Sequence, residues 1–145
     1  MSNEEFNNQD YSSGLAAFEA KNFSLAMQLL SPLADAGDAD AQHRVAIMCQ
    51  NGLGVVRNEP RAYQMMRAAA EQGYAIAQHG LGFMYLEGEC VEQNSEQAVE
   101  WFRRAADQGL AGSLTTLARM YEEGNGVEKD PDEAKRLYAL AGFEM

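Results

Sequence analysis

The 145-residue sequence has few basic side chains, few cysteines and no long apolar run. Lysine and arginine together number 11 against 22 acidic residues, which makes the formal charge −11. Because phosphate affinity comes from basic side chains, this balance argues against nucleic acid and anionic membrane surfaces as partners. No stretch approaches the roughly 18 apolar residues of a membrane-spanning helix. The start, MSNEEFNNQDYSS, lacks the pattern of a signal peptide. We therefore expect an acidic cytoplasmic protein.

Cysteine and histidine are also scarce. Cys49 and Cys90 are too few for a disulfide framework. A zinc site built from these cysteines with His43 and His79 lacks the short ligand spacing of structural zinc sites, so we predict no metal. Cys49 is predicted to be a small buried hydrophobic residue. Cys90 is predicted to lie in a loop, which leaves open a reactive or dimerising thiol.

What the sequence does contain is an internal repeat with a period of 36 residues. Shifting the chain by this distance superimposes identical methionines, glycines, valines and alanines in three copies. So many identical columns at one spacing predict a stacked repeat architecture. The columns are Met48, Met84 and Met120, Gly52, Gly88 and Gly124, Val55, Val91 and Val127, Ala62, Ala98 and Ala134, and Ala69, Ala105 and Ala141.

Each copy of the repeat predicts two helices. The first has apolar residues at helical spacing, as in Ala77, Leu81 and Met84, and ends at a glycine loop. The second follows a polar residue placed as an N-cap. These N-caps are Asn58, Asn94 and Asp130. The predicted fold class is all-α, an α/α solenoid of about four antiparallel helix pairs.

We predict a single repeat domain spanning residues 1–145. It comprises a frayed segment at 1–8, a tetratricopeptide-like N-terminal helix pair at 9–37, and repeats at 38–73, 74–109 and 110–145.

The pattern AxAQxxLGxMYxxGxxV…AxxWFRRAAxQGxA, clearest from Ala75 to Ala111, resembles the Sel1-like repeat family, a relative of the tetratricopeptide repeats. The resemblance implies an α/α solenoid that serves as a noncatalytic adaptor and binds other proteins. Some members carry a cysteine pair in each repeat. Cys49 and Cys90 occupy different columns, so that pattern is absent here.

Motifs for catalysis or cofactors are not found in the sequence. The glycine loops lack the lysine and the strand–loop–helix context of a phosphate-binding loop. The acidic clusters lack the alternating oxygen ligands of a calcium loop. We therefore predict no enzyme, no catalytic residue and no cofactor.

Columns that differ between the copies predict a recognition surface. In related solenoids the first helix lines the concave face, so divergent residues on one stripe of that helix would line a groove for a partner protein or peptide. Phe83 and Leu86 are the predicted apolar anchors. The alternative, in which Phe83 packs between helices, stays open. The proposed groove residues are His43, Ile47, Gln50, His79, Phe83, Leu86, Glu87, Thr115, Arg119 and Glu122.

Three functional hypotheses follow. The first is a protein-binding adaptor, and the second is an inhibitory or immunity-type protein that blocks an effector enzyme through the same surface. The third is a metal- or thiol-dependent regulator that uses Cys90. Leu140 and Phe143 on the last helix also predict self-association, because a solenoid usually ends in a polar capping helix.

Overall fold

The structure is a computed structural model that describes residues 3–143, with side chains from Asn8 onward. Within this range there are eight α-helices and no strand. Each helix from α2 to α7 has 13 residues. The helices are α1 (Asn3–Glu19), α2 (Phe23–Asp35), α3 (Ala39–Asn51), α4 (Glu59–Glu71), α5 (Ala75–Glu87), α6 (Ser95–Asp107), α7 (Ala111–Glu123) and α8 (Pro131–Leu140).

The chain divides into two compact units, Met1–Gln72 with α1 to α4 and Gly73–Met145 with α5 to α8. In the first unit α1 packs on α2, α2 on α3 and α3 on α4. In the second unit the packing order is the same, from α5 through α8. Each unit therefore contains two helix pairs. That residues 1–145 form one repeat domain stays a prediction.

The N-terminal segment is helical from an early residue. α1 begins at Asn3, so helical structure starts within the stretch that we expected to be frayed. Residues 1–2 of that stretch, and residues 144–145 of the last predicted repeat, lie outside the described residues. The tetratricopeptide-like pair predicted at 9–37 corresponds to α1 and α2.

Side-chain caps start every second helix, as the repeat columns predict. Asn58 Oδ1 accepts a hydrogen bond from the Arg61 backbone N–H at 3.1 Å. Asn94 and Asp130 accept equivalent bonds, each at 3.1 Å, at the starts of α6 and α8. Each cap satisfies one of the free N–H groups at a helix start. The predicted N-caps are therefore confirmed.

The first helices end at glycines in the left-handed region. Gly52, Gly88 and Gly124 have φ of 65°, 69° and 68°, and each N–H bonds back to the carbonyl of a methionine four residues earlier. Left-handed backbone costs an L-residue roughly 1–2 kcal/mol, which is why glycine recurs here.

A pair of glutamines, one buried and one exposed, connects helix ends in each unit. Gln72 Nε2 donates to the Gly37 carbonyl and to Gln42 Oε1, both at 2.9 Å. Gln42 in turn donates to a carbonyl at the end of α2 at 3.1 Å. In the second unit Gln108 and Gln78 form the same pair at 3.0 Å. These bonds satisfy backbone carbonyls that the helix ends leave free.

The loop after α7 passes very close to the start of α6 at Gly126. A Cβ added there would lie 2.4 Å from the Ser95 carbonyl oxygen, and Gly126 also has φ of +72°. We expect Gly126→Ala to lower the free energy of unfolding by about 3 kcal/mol, from backbone strain plus overpacking. Urea denaturation followed by circular dichroism measures this loss.

The matched control is Gly109→Ala. Gly109 also has positive φ, +84°, but a Cβ there would meet nothing within 4 Å. Its replacement is expected to cost only about 1 kcal/mol. Equal losses for the two variants would contradict the proposed clash.

Candidate partner-binding surface

The predicted groove residues of the first unit lie on α3. His43, Ile47 and Gln50 are all half-buried and follow one another on one stripe of the helix. Burial lowers the pKa of His43, opposed by the nearby Asp40 carboxylate and reinforced by Arg44. His43 is therefore predominantly neutral at neutral pH.

Three aromatic rings meet between α5 and α6 in the second unit. The ring centroids of His79 and Phe83 lie 4.9 Å apart, and those of Phe83 and Phe102 lie 5.1 Å apart, both edge to face. Phe102 is fully buried and packs directly on Gly82, where an added Cβ would approach its ring to 2.8 Å. Phe83 is half-buried. It thus packs between helices while part of its ring remains exposed, so the two alternatives for Phe83 are compatible.

His79 also connects α5 to α7. Its Nδ1 lies 2.7 Å from the Oγ of Ser113, which is fully buried. Burial lowers the pKa of His79, because desolvation disfavours the imidazolium form. The ring is therefore a neutral, fixed part of this surface rather than a mobile cation.

The α5 stripe includes one residue that the sequence analysis missed. Ile76 is 48% exposed. It lies on the same side of the helix as His79, one turn later, and Phe83, two turns later. Its column differs between copies, since Asp40 and Gly112 stand 36 residues before and after it. That difference could have identified it from the sequence. Leu86 is half-buried and Glu87 is exposed at the end of the stripe.

The α7 residues are brought together with the last helix. Thr115 and Arg119 line a cavity of about 230 Å³ with Tyr138 and Phe143. Glu122 accepts a hydrogen bond from the Tyr138 hydroxyl, which raises the pKa of that phenol. Tyr138 and Phe143 thus belong to this surface as well. They lie on α8 and after it, so a comparison of the repeat columns of the first helices does not identify them.

Leu140 and Phe143, which the self-association hypothesis groups, line two different cavities. Phe143 packs edge to face on Tyr138, with centroids 6.1 Å apart. Leu140 lines a separate cavity, between α6, α7 and α8. Both are more than half exposed, at 60% for Leu140 and 55% for Phe143. Self-association through them stays a prediction.

The cysteines occupy two different environments. Cys49 is 1% exposed, and burial raises the pKa of its thiol, as expected for a buried hydrophobic residue. Cys90 lies in the loop after α5 with φ of +65°. The same column holds Gly54 and Gly126, also at positive φ. Cys90 is therefore a non-glycine residue in a conformation that the repeat reserves for glycine.

Residues 3–143 contain no group of three or more His, Cys, Asp or Glu side chains placed to hold a metal ion. In the same part of the chain no helix is long and apolar enough to cross a membrane. The predicted groove residues lie on α3 in the first unit and on α5 and α7 in the second, and their role in binding stays a prediction.

A model of the Sel1 repeat family matches residues 11–38, 39–74, 75–110 and 113–142. The chain belongs to the Sel1 repeat family. The resemblance inferred from the repeat columns and the all-α solenoid fold class are thereby confirmed. Sel1 repeat proteins are generally protein-interaction scaffolds, and their fold is typically noncatalytic. The first match falls on α1 and α2, where the sequence columns are weakest.

Solved structures show the same family. The crystal structure of a Sel1 repeat protein from Oxalobacter formigenes superposes with a TM-score of 0.86 at 33% identity, covering 91% of this chain and 53% of that one. The structure of c5321, a protective antigen present in uropathogenic Escherichia coli strains and displaying an SLR fold, gives 0.78 at 37% identity, covering 79% and 25%. This Sel1 repeat chain therefore spans about half and about a quarter of their lengths.

A more distant structure agrees in fold alone. Helicobacter pylori cysteine rich protein B superposes with a TM-score of 0.65 at 17% identity, covering 83% of this chain and 86% of that one. No curated protein sequence matches the chain.

The lowered pKa of His79 predicts a stability that depends on pH. The unfolded chain binds a proton at the ordinary histidine pKa of 6.5, whereas the folded chain binds it only at lower pH. The free energy of unfolding therefore decreases as pH falls through 6.5. We expect His79→Gln to lose less stability between pH 7 and pH 5 than the wild type, measured by urea denaturation at each pH. His43 titrates in the same direction and remains in both proteins. Equal pH slopes would contradict this role.

The positive φ of Cys90 predicts a stabilising substitution. Cys90→Gly removes the Cβ from a left-handed conformation. We expect its free energy of unfolding, measured by urea denaturation, to exceed that of Cys90→Ser by about 1 kcal/mol. The serine variant is the matched control, because both variants lose the thiol and only the glycine variant relieves the strain. A serine variant as stable as the glycine variant would show that the strain is absorbed elsewhere.

Proposed function

We propose that the chain is a noncatalytic adaptor that binds a partner protein or peptide through the first helices of its repeats. The family generally provides protein-interaction scaffolds. We propose that the partner contacts the stripe on α5 and the α7 surface that continues onto α8. The α3 residues of the first unit provide a further contact area. The proposal includes the cytoplasmic location expected from the sequence.

The single observation that carries this proposal is the fixed aromatic ring of Phe83. The ring is held by Phe102 and His79 and is still half-exposed. A rigid aromatic side chain offers a large contact area with little further loss of conformational entropy on binding. Exposed Ile76 extends the apolar area along α5.

The α7 surface adds polar specificity to this apolar contact. Arg119 is exposed beside the apolar ring of Phe143, and Glu122 is fixed by its bond to Tyr138. Charged groups at the rim of an interface select partners and orient them more than they add affinity. A partner segment with apolar side chains and mixed charge fits this arrangement.

The proposed surface can be tested with variants that leave the core intact. Ile76→Glu places a charge on an exposed position, and Leu86→Ala shortens a half-buried one. We expect each to reduce partner capture from a lysate of the source cells about tenfold or more, because apolar anchors contribute most interface energy. Quantitative mass spectrometry of the captured proteins measures the loss, and calorimetry with the identified partner measures the affinity.

The matched control is Leu25→Ala, which removes the same side chain from a 41% exposed position on α2. Capture should then equal that of the wild type. Phe83→Ala is less informative, because the loss of its contacts with Phe102 should also lower the melting temperature. Capture that falls equally in Leu25→Ala, or stays unchanged in both stripe variants, would refute the surface. A captured enzyme that loses activity on addition of the wild type would favour the inhibitory alternative.

A further inference from the structure

A cavity with a volume of about 340 Å³ lies beside α8, bounded by α6, α7 and α8. Four leucines contribute apolar surface to its wall, and two arginines and one aspartate contribute charge. These residues are Leu114, Leu117, Leu137, Leu140, Arg103, Arg136 and Asp107. The volume is at the lower end of the roughly 300–1,000 Å³ typical of ligand pockets.

The sequence explains why space is left at this place. Leu137 stands one period after Trp101, so α8 has a leucine where α6 has a buried indole, 6% exposed. Leu140 stands one period after Arg104, whose guanidinium lies 4.4 Å from the Trp101 ring centroid. The last repeat therefore lacks both the large ring and the cation that covers it. Leu140 is left 60% exposed at the cavity.

Two arginines and one aspartate contribute charge to the wall of this cavity, in a chain that is acidic overall. Arg103 is half-buried, and its Nη2 donates to the Tyr121 hydroxyl at 2.6 Å. In the described part of the chain no carboxylate lies within ion-pair distance of Arg103. Arg136 bonds Glu133, with its Nε at 3.0 and 3.2 Å from the two carboxylate oxygens, and Asp107 also lines the wall. Arg103 is thus held by a neutral hydroxyl and, among the described residues, forms no ion pair with the Asp107 carboxylate in the same wall.

We propose that this cavity is a second binding site, which accepts one apolar side chain of an acidic partner peptide while Arg103 binds a neighbouring carboxylate. The leucine wall fits a leucine-sized side chain, and the guanidinium presents further N–H donors in the planar arrangement that suits a carboxylate. The acidic surface elsewhere on the chain repels an acidic peptide. The guanidinium of Arg103 attracts its carboxylates, and this contrast directs the peptide to the cavity. The site is lined by residues of α6, α7 and α8 that belong neither to the α5 stripe nor to the α7 surface around Thr115 and Arg119, and it is independent of the first-helix proposal.

The probe is a pair of synthetic peptides with both ends blocked. In one peptide a leucine is flanked by two glutamates on each side, and in the other by two glutamines. Titration of the wild type, followed by backbone amide shifts, should show the glutamate peptide binding about tenfold more tightly and shifting the amides of Leu114, Leu137 and Leu140. Equal affinities, or no shifts at millimolar peptide, would overturn the proposal.

Three variants test the parts of the site. Leu137→Trp fills the cavity with the residue of the preceding repeat and should abolish peptide binding. Arg103→Gln should weaken the glutamate peptide about tenfold without changing the glutamine peptide. Arg67→Gln, which changes an exposed arginine of α4 outside the cavity wall and outside the first-helix surface, is the matched control and should change neither. Binding to Leu137→Trp as strong as to the wild type would overturn the proposal.

Three further tests keep the result unambiguous. If Leu137→Trp fails to fold, Leu140→Trp replaces it, since a large uncharged ring at this exposed position should block the cavity mouth. Sedimentation of the free protein tests the other occupant: a dimer that dissociates in Leu137→Trp would show that a second copy fills the cavity, and would overturn the proposal. Ile76→Glu should leave peptide binding unchanged, so that failure of the first-helix surface and failure of this site are told apart.

Discussion

The left-handed turn that ends each first helix is the constraint on which the rest of the repeat depends. At Gly52, Gly88 and Gly124 the backbone leaves the helix at φ of 65° to 69°, which only glycine adopts without strain. The chain then reaches a polar side chain that caps the next helix. The end of each of these first helices and the start of the second helix that follows it are thus set by short-range chemistry.

Because those ends are local, the sequence predicts them well. Identical columns at a period of 36 predict the helix pairs, the glycine ends and the caps at Asn58, Asn94 and Asp130, and the structure contains all of them. The fully buried alanines of the second helices are predicted for the same reason, since small residues at fixed positions allow close helix approach. Their exposure is 0% at Ala62 and Ala98.

The parts that sequence reasoning missed depend on contacts between elements. The ring cluster of His79, Phe83 and Phe102 joins residues of two helices, whereas a comparison of columns considers each helix by itself. Phe143 was grouped with Leu140 on one side of α8, but the helix ends at Leu140, and the chain after it turns back so that Phe143 packs on Tyr138. A helical periodicity cannot describe residues beyond the helix end. The sequence shows that Cys90 stands in a column that otherwise holds glycine, at Gly54 and Gly126. Only the structure shows that Cys90 adopts a positive φ.

Differences between the copies indicate where stability is not the only requirement. At the column of Gly54 and Gly126 the chain uses Cys90, which adopts a strained conformation. At the column of Trp101 it uses Leu137, which leaves a cavity of about 340 Å³. In both cases the same chain contains the better-fitting residue one period away, so the repeat fold does not impose the poorer one. A sequence selected only for folding would have the best-fitting residue at every column of the repeat. Departures from the local preferences for packing and backbone conformation are therefore expected mainly at functional sites. The cavity combines such a departure with the guanidinium of Arg103, which is held by the Tyr121 hydroxyl rather than by a carboxylate, and this combination distinguishes it from a simple packing defect.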